Sequence, residues 1–120
     1  MEDEIKVALI QMDLAWERPQ DNLKRFDNYL GQLQSETDVV FLPEMFTSAF
    51  TMNPENVAEP MNGNTIKWML LWAKKHNTAI AGSLIIEDKG SYYNRFVWIN
   101  SDGSKYFYDK RHTFTLAGED

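Results

Sequence analysis

A glutamate and a lysine stand at the two positions of this chain where catalytic side chains are most expected. Glu44 comes directly after the apolar run Val39–Pro43, and Lys110 follows a strand-like segment that ends near Tyr108. Ligand sites of open α/β sheets form outside the carboxyl ends of strands. A carboxylate beside an ammonium can act as a general base, because burial raises its pKa while the lysine moderates that rise. The lysine can also stabilise an oxyanion during attack on a carbonyl.

The same two residues also have an ordinary interpretation. Most glutamates and lysines are solvated surface groups, and Asp109–Arg111 has the composition of a charged turn. The position of Glu44 and Lys110 after strands therefore leaves a catalytic and a structural role both open.

Composition limits the classes of function that the chain can have. Its 120 residues carry a net charge of −6, which argues against nucleic-acid binding through a general basic surface. The chain contains no cysteine, which excludes disulfides, Cys-ligated zinc and a Cys nucleophile within these residues. It has no cluster of metal ligands and no phosphate-binding glycine loop, and no apolar run approaches the ~18 residues that span a bilayer. An acidic N-terminus without an apolar stretch predicts no signal peptide, so we expect a cytoplasmic protein.

Hydrophobic periodicity predicts an α/β fold with the order β-α-β-α-β-β-β. Helical spacing of apolar residues predicts two helices, the first through Leu23–Leu33 after a turn at Trp16–Gln20 and the second from about Thr65. Met45–Met61, with two prolines, is expected to be a long loop. Five strands are predicted, at 5–10, 39–42, 79–86, 92–99 and 105–108. Parallel crossovers followed by an antiparallel meander predict a mixed sheet. The chain stops in a loop at Gly118–Asp120, so residues 1–120 are expected to be a single incomplete domain.

Five segments, taken in order, resemble the nitrilase superfamily of carbon–nitrogen hydrolases, and most closely its omega-amidase-like branch. The resemblance covers nearly the whole chain. The segments are Val7–Gln11, Asp38–Phe46, Ala81–Ser83, Tyr93–Phe96 and Phe107–His112.

The resemblance implies the N-terminal portion of a four-layer αββα sandwich that hydrolyses a small amide to an acid and ammonia, without a metal or an organic cofactor. A short 2-oxo dicarboxylic acid monoamide such as 2-oxoglutaramate is the implied substrate, and a homo-oligomer is the implied assembly. Glu44 matches the family's general base and Lys110 its oxyanion-stabilising lysine, while Glu119 is the nearest match to a second glutamate that positions the substrate or the lysine. The nucleophilic cysteine of the family has no counterpart here, so the isolated chain is expected to be inactive.

Several further residues have two interpretations each. Phe46 could line a substrate pocket or simply pack, and Arg111 could bind a substrate carboxylate through its planar fork or form a surface salt bridge. Asn94 and Arg95 could orient Glu44 or stabilise the sheet, and the pattern favours the structural role. Trp68 and Trp72 lie four residues apart on the second helix and predict a packing or subunit contact. The alternative to an amidase is a non-catalytic half-domain that binds small ligands or oligomerises.

Overall fold

A single mixed sheet organises the chain. The computed structural model describes residues 4–33 and 36–110. Its five strands lie in the order β1-β2-β3-β4-β5. The strands are β1 (Val7–Leu9), β2 (Val39–Phe41), β3 (Ala79–Asp88), β4 (Ser91–Ile99) and β5 (Lys105–Asp109). The helices are α1 (Pro19–Leu30) and α2 (Asn64–His76), and a short 3-10 helix covers Pro54–Asn56.

The sheet changes from parallel to antiparallel at β3. β1, β2 and β3 are parallel neighbours because a helical or loop crossover separates each from the next. β3, β4 and β5 form an antiparallel meander joined by short turns. The predicted element order and the mixed α/β sheet are therefore confirmed. The carboxyl ends of β2, β3 and β5 consequently lie towards the same edge.

Element boundaries differ from the predictions where proline or pairing shifts them. Trp16 and Glu17 form a turn, as predicted, whereas Pro19 and Gln20 already belong to α1, because the missing N–H of proline costs nothing in the first helical turn. α1 ends at Leu30, and Leu33 packs on the core from outside the helix. The predicted loop Met45–Met61 contains the 3-10 helix, and Glu59 pairs with Ile86 beside β3.

Turn chemistry explains how β3 reverses into β4. Lys89 and Gly90 both have positive φ, 54° and 83°, as the type I′ turns of two-residue hairpins require. Asn77 ends α2 in the left-handed conformation (φ 52°, ψ 50°), which asparagine tolerates better than most residues.

Both helices cover the same face of the sheet. Phe26 of α1 and Met69 of α2 are fully buried in one core with the strand residues Val40, Leu84 and Val97. The two indole N–H groups of α2 fix the helix pair, because Trp68 Nε1 and Trp72 Nε1 both donate to Asp27 Oδ1 of α1, at 2.8 and 2.9 Å. The predicted Trp68–Trp72 contact is thus a packing contact inside the chain.

The opposite face of the sheet is apolar, and within the part of the chain that the structure describes it is open at the edge strands, whereas Ala81 and Ile85 of the central β3 are buried. Tyr106 and Tyr108 of β5 are each 64% exposed, and Leu9 of β1 is 71% exposed. Phe96 and Trp98 of β4 pair with these tyrosines across the ladder. None of the described helices is both long enough and apolar enough to cross a bilayer.

Candidate active site

Backbone contacts to β3 fix the turn that carries Glu44. The Met45 N–H donates to Ser83 Oγ at 2.9 Å, and the Phe46 N–H donates to the Ser83 carbonyl at 3.1 Å. Met45 adopts a positive φ of 50°, a conformation that costs a non-glycine residue energy and is held here by these contacts. Ser83 therefore positions Glu44 without touching its carboxylate.

Packing of Phe46 in the hydrophobic core also holds the turn that carries Glu44. Phe46 has no exposed surface and meets Phe26 edge to face and Trp68 in a stack, with ring centroids 5.8 and 6.0 Å apart. Gly82 of β3 leaves room for it, since a Cβ at this position would lie 2.9 Å from Phe46 Cδ1. A ring enclosed in this way cannot touch a substrate in this conformation. The geometry supports the packing role of Phe46.

An ion-paired arginine fixes the end of β5 that carries Lys110. Arg95, only 3% exposed, forms two hydrogen bonds to Asp109, from Nε to Oδ1 at 2.6 Å and from Nη2 to Oδ2 at 3.0 Å. Its guanidinium carbon lies 4.1 Å from the centre of the Phe107 ring. The Lys110 N–H then continues the ladder by donating to the Asn94 carbonyl at 3.0 Å. The backbone of Lys110 is thus held by β4.

Glu44 and Lys110, 66 positions apart in sequence, meet as an ion pair. Lys110 Nζ lies 2.6 Å from Glu44 Oε2, and Asn94 Nδ2 donates to the same oxygen at 3.4 Å. The side chains of Glu44 and Lys110 remain 59% and 42% exposed, whereas Asn94 is 7% exposed. The structure therefore brings the predicted Glu44–Lys110 pair together in a solvent-exposed position, where the buried amide of Asn94 contacts it.

The pKa of Glu44 lies below its ordinary value of 4.5, chiefly because Lys110 donates a hydrogen bond to the carboxylate. Partial burial opposes this lowering, while the positive charge of Lys110 and the hydrogen bond from Asn94 add to it. Burial therefore acts in the expected direction, but the expected net rise of the pKa is not found, because Lys110 has the larger effect on a side chain that is more than half exposed. A carboxylate of lowered pKa is a weaker base than a free glutamate.

Strand alternation places the pair on the open face of the sheet. Asn94 pairs with Ile85, whose neighbours Leu84 and Ile86 point into the helix-covered core. Because successive side chains of a strand point to opposite faces, Asn94 points away from the helices. A substrate could therefore approach the Glu44–Lys110 pair from the uncovered side.

The remaining candidate residues are placed differently. Arg111 and Glu119, predicted to contact substrate, lie outside the described residues, as does His112. The sequence favoured a structural role for Asn94 and gave no indication of Ser83, because neither carries a signal that distinguishes a site residue from a sheet residue. No group of three or more metal-ligating side chains occurs among residues 4–33 and 36–110.

A mixed α/β sheet thus carries a glutamate–lysine ion pair beside its open face, in a sequence that contains no cysteine. The sequence profile described as carbon-nitrogen hydrolase matches residues 6–120. The chain belongs to the carbon–nitrogen hydrolase family.

Individual relatives and structures support the same membership. The chain is 39% identical over 115 residues to omega-amidase YafV of Yersinia enterocolitica, covering 96% of this chain and 44% of that protein. It is 27% identical over 116 residues to 2-oxoglutaramate amidase of Bacillus subtilis, covering 94% of this chain and 45% of that protein. The chain therefore spans less than half the length of these relatives.

Solved structures of the nitrilase superfamily share the fold. XC1258 from Xanthomonas campestris, a CN-hydrolase superfamily protein with an arsenic adduct in its active site, superposes with a TM-score of 0.85 at 34% identity. This match covers 90% of the present chain and 41% of that one. Nit3 of Saccharomyces cerevisiae superposes with a TM-score of 0.78 at 25% identity, covering 90% of this chain and 44% of that one.

Proposed function

We propose that this chain is the glutamate–lysine part of an omega-amidase-like enzyme whose nucleophilic thiol lies outside residues 1–120. The observation that carries the proposal is the 2.6 Å contact between Lys110 Nζ and Glu44 Oε2 on the open sheet face. Two further facts support it. The 120 residues contain no cysteine, and they span 44% of the omega-amidase relative.

In this account Glu44 takes the proton of the thiol, and the thiolate attacks the carbon of a terminal amide. Lys110 stabilises the oxyanion that forms. The C–N bond then breaks, the nitrogen takes the proton from Glu44 and ammonia leaves. Water, deprotonated by Glu44, hydrolyses the thioester to the acid and restores the thiol. The balance is amide plus water giving acid plus ammonia, with no metal or organic cofactor.

The substrate that we propose is the amide of a short 2-oxo dicarboxylic acid, such as 2-oxoglutaramate. The relatives named omega-amidase and 2-oxoglutaramate amidase support this choice. Arg111 and Glu119 remain predicted substrate contacts, the first for the substrate's carboxylate and the second for the amide or the lysine. We propose the cytoplasm as the place of the reaction, since an acidic chain without cysteine suits a reducing compartment.

The test uses the gene product as its host makes it, assayed for ammonia release from 2-oxoglutaramate. We expect Glu44→Gln to lower kcat by at least about 100-fold through loss of the base. Lys110→Met should lower it by about 100- to 1,000-fold through loss of oxyanion stabilisation. Lys6→Met is the matched control, because Lys6 also pairs with a glutamate, Glu36, at 2.9 Å, but on the exposed surface far from the site. Full activity in the Glu44 and Lys110 variants would refute the assignment.

A second candidate, self-association of a non-catalytic half-domain, is favoured by the open aromatic face of β4 and β5. The exposed Tyr106 and Tyr108 are unusual for a monomer surface and suit an interface between copies of the chain. Light scattering tests this directly. A dimer that Tyr108→Lys converts to a monomer would support a homo-oligomer built on this face, whereas a wild-type monomer would exclude it.

A further inference from the structure

Three elements converge on one carboxylate oxygen, and Asn94 connects them. Its side-chain Nδ2 donates to Glu44 Oε2 at 3.4 Å, and its backbone carbonyl accepts the Lys110 N–H at 3.0 Å. Lys110 Nζ donates to the same Oε2 at 2.6 Å. Asn94 is thus bonded both to the glutamate and to the lysine of the pair.

Burial gives Asn94 the rigidity that its two partners lack. Asn94 is 7% exposed, whereas the Glu44 and Lys110 side chains are 59% and 42% exposed. Long exposed side chains lose rotamer entropy when they are held in one geometry, so an exposed ion pair is weakly oriented. A short amide fixed within a strand supplies the missing orientation.

The side-chain amide of Asn94 makes no other hydrogen bond among the described residues. Among the described residues, Asn94 Oδ1 is buried without a hydrogen-bond partner, so Nδ2 on Glu44 is its only recorded side-chain contact. An unpaired buried acceptor costs about 1–3 kcal/mol. The amide therefore carries this cost at the position where it bonds the Glu44 carboxylate.

The two oxygens of Glu44 consequently have different roles. Within residues 4–33 and 36–110, both recorded hydrogen bonds of the carboxylate go to Oε2 and none to Oε1. We propose that Asn94 is a positioning residue that holds Oε2 against Lys110 and so leaves Oε1 free to exchange the proton with the thiol. This role rests on the proposed amidase function, since it specifies which oxygen serves as the base.

The first test is a titration of the Glu44 side-chain carboxyl by carbon NMR in the chain itself. Loss of the amide donor in Asn94→Ala should raise the pKa of Glu44. Asn94→Asp, which keeps the shape but adds a like charge, should raise it further. Asn100→Ala is the matched control: it removes a hydrogen-bonded amide at the opposite end of the same strand pair, where Asn100 bonds Trp98 and Ser104. Equal titration of Glu44 in wild type and Asn94→Asp would overturn the proposal.

The second test measures kcat and KM for the amide in the full-length protein. We expect Asn94→Ala or Asn94→Asp to lower kcat by about 10- to 100-fold while KM stays nearly constant, since a positioning residue acts on the reactive group rather than on binding. A change in KM alone, or no change, would overturn the positioning role. If the wild-type protein released no ammonia, the amidase proposal would fall, and the titration would still decide whether Asn94 orients Glu44.

Discussion

Replacing Gly82 by alanine should disturb the Glu44 turn through the core. The new Cβ would lie 2.9 and 3.1 Å from Phe46 Cδ1 and Cε1, and 3.0 Å from Leu42 Cβ. Carbon atoms at rest are about 3.5–4.0 Å apart, so Phe46 must move by roughly half an ångström or more. Phe46 is fully buried between Phe26 and Trp68 and has no open direction in which to move. Such overpacking costs about 1–3 kcal/mol.

In urea denaturation this cost should appear as a lower midpoint concentration, with no change in the slope of the unfolding free energy against urea concentration. The corresponding fall in Tm is on the order of 5–10 °C for a chain of this size. A double-mutant cycle locates the strain: in a Phe46→Leu background, Gly82→Ala should cost less because the ring that it strikes is smaller. Gly31→Ala is the control, since Gly31 has an α-helical φ of −64° and its Cβ would come no nearer than 3.2 Å to the Asp27 carbonyl oxygen, so it should cost less than Gly82→Ala. Wild-type stability of Gly82→Ala would refute the argument that this glycine admits Phe46.

Three more variants test the contacts around the site. Because the folded pKa of Glu44 is lowered, its pairing with Lys110 adds stability above pH 4.5 that is lost as the pH falls through the folded pKa. Lys110→Met should therefore flatten this part of the stability–pH curve, and an unchanged curve would contradict the pairing. Asp109→Asn should destabilise the chain by about 1–3 kcal/mol in urea, since it weakens the pairing of the buried Arg95, and should disorder Lys110 in NMR spectra; unaltered Lys110 signals would contradict its role. Asp27→Leu leaves the indole N–H groups of Trp68 and Trp72 without their acceptor. It should lower the free energy of unfolding by about 1–3 kcal/mol and change the tryptophan fluorescence. An unchanged spectrum would contradict the role of Asp27 in joining the two helices.

Sequence periodicity predicted the elements well because the buried faces decide them. Phe26 and Leu30 of α1 and Ile66 and Met69 of α2 recur at helical spacing, and all four are buried. Boundaries were less predictable where a local rule competes with periodicity. Pro19 signals a turn in sequence but begins a helix in the structure, because its fixed φ suits the first helical turn.

The charged residues of the candidate site could be predicted from the sequence, but the residues that hold them in place could not. Glu44 and Lys110 follow strands and match ordered motifs, so their contact could be anticipated. Asn94 and Ser83 act through a single hydrogen bond or a backbone contact, and these depend on the register of β3 against β4. The lowered pKa of Glu44 likewise depends on exposure, which the sequence does not encode locally.

Ammonia release from 2-oxoglutaramate by the protein purified from its native host tests the central claim most directly, with intact mass measured on the same sample. The account predicts a product heavier than 14.0 kDa that contains a cysteine, releases ammonia and loses this activity in Glu44→Gln. A heavier, cysteine-containing product that releases no ammonia from any short amide would contradict the account. So would a native product of 14.0 kDa, because no thiol would then be available to the Glu44–Lys110 pair.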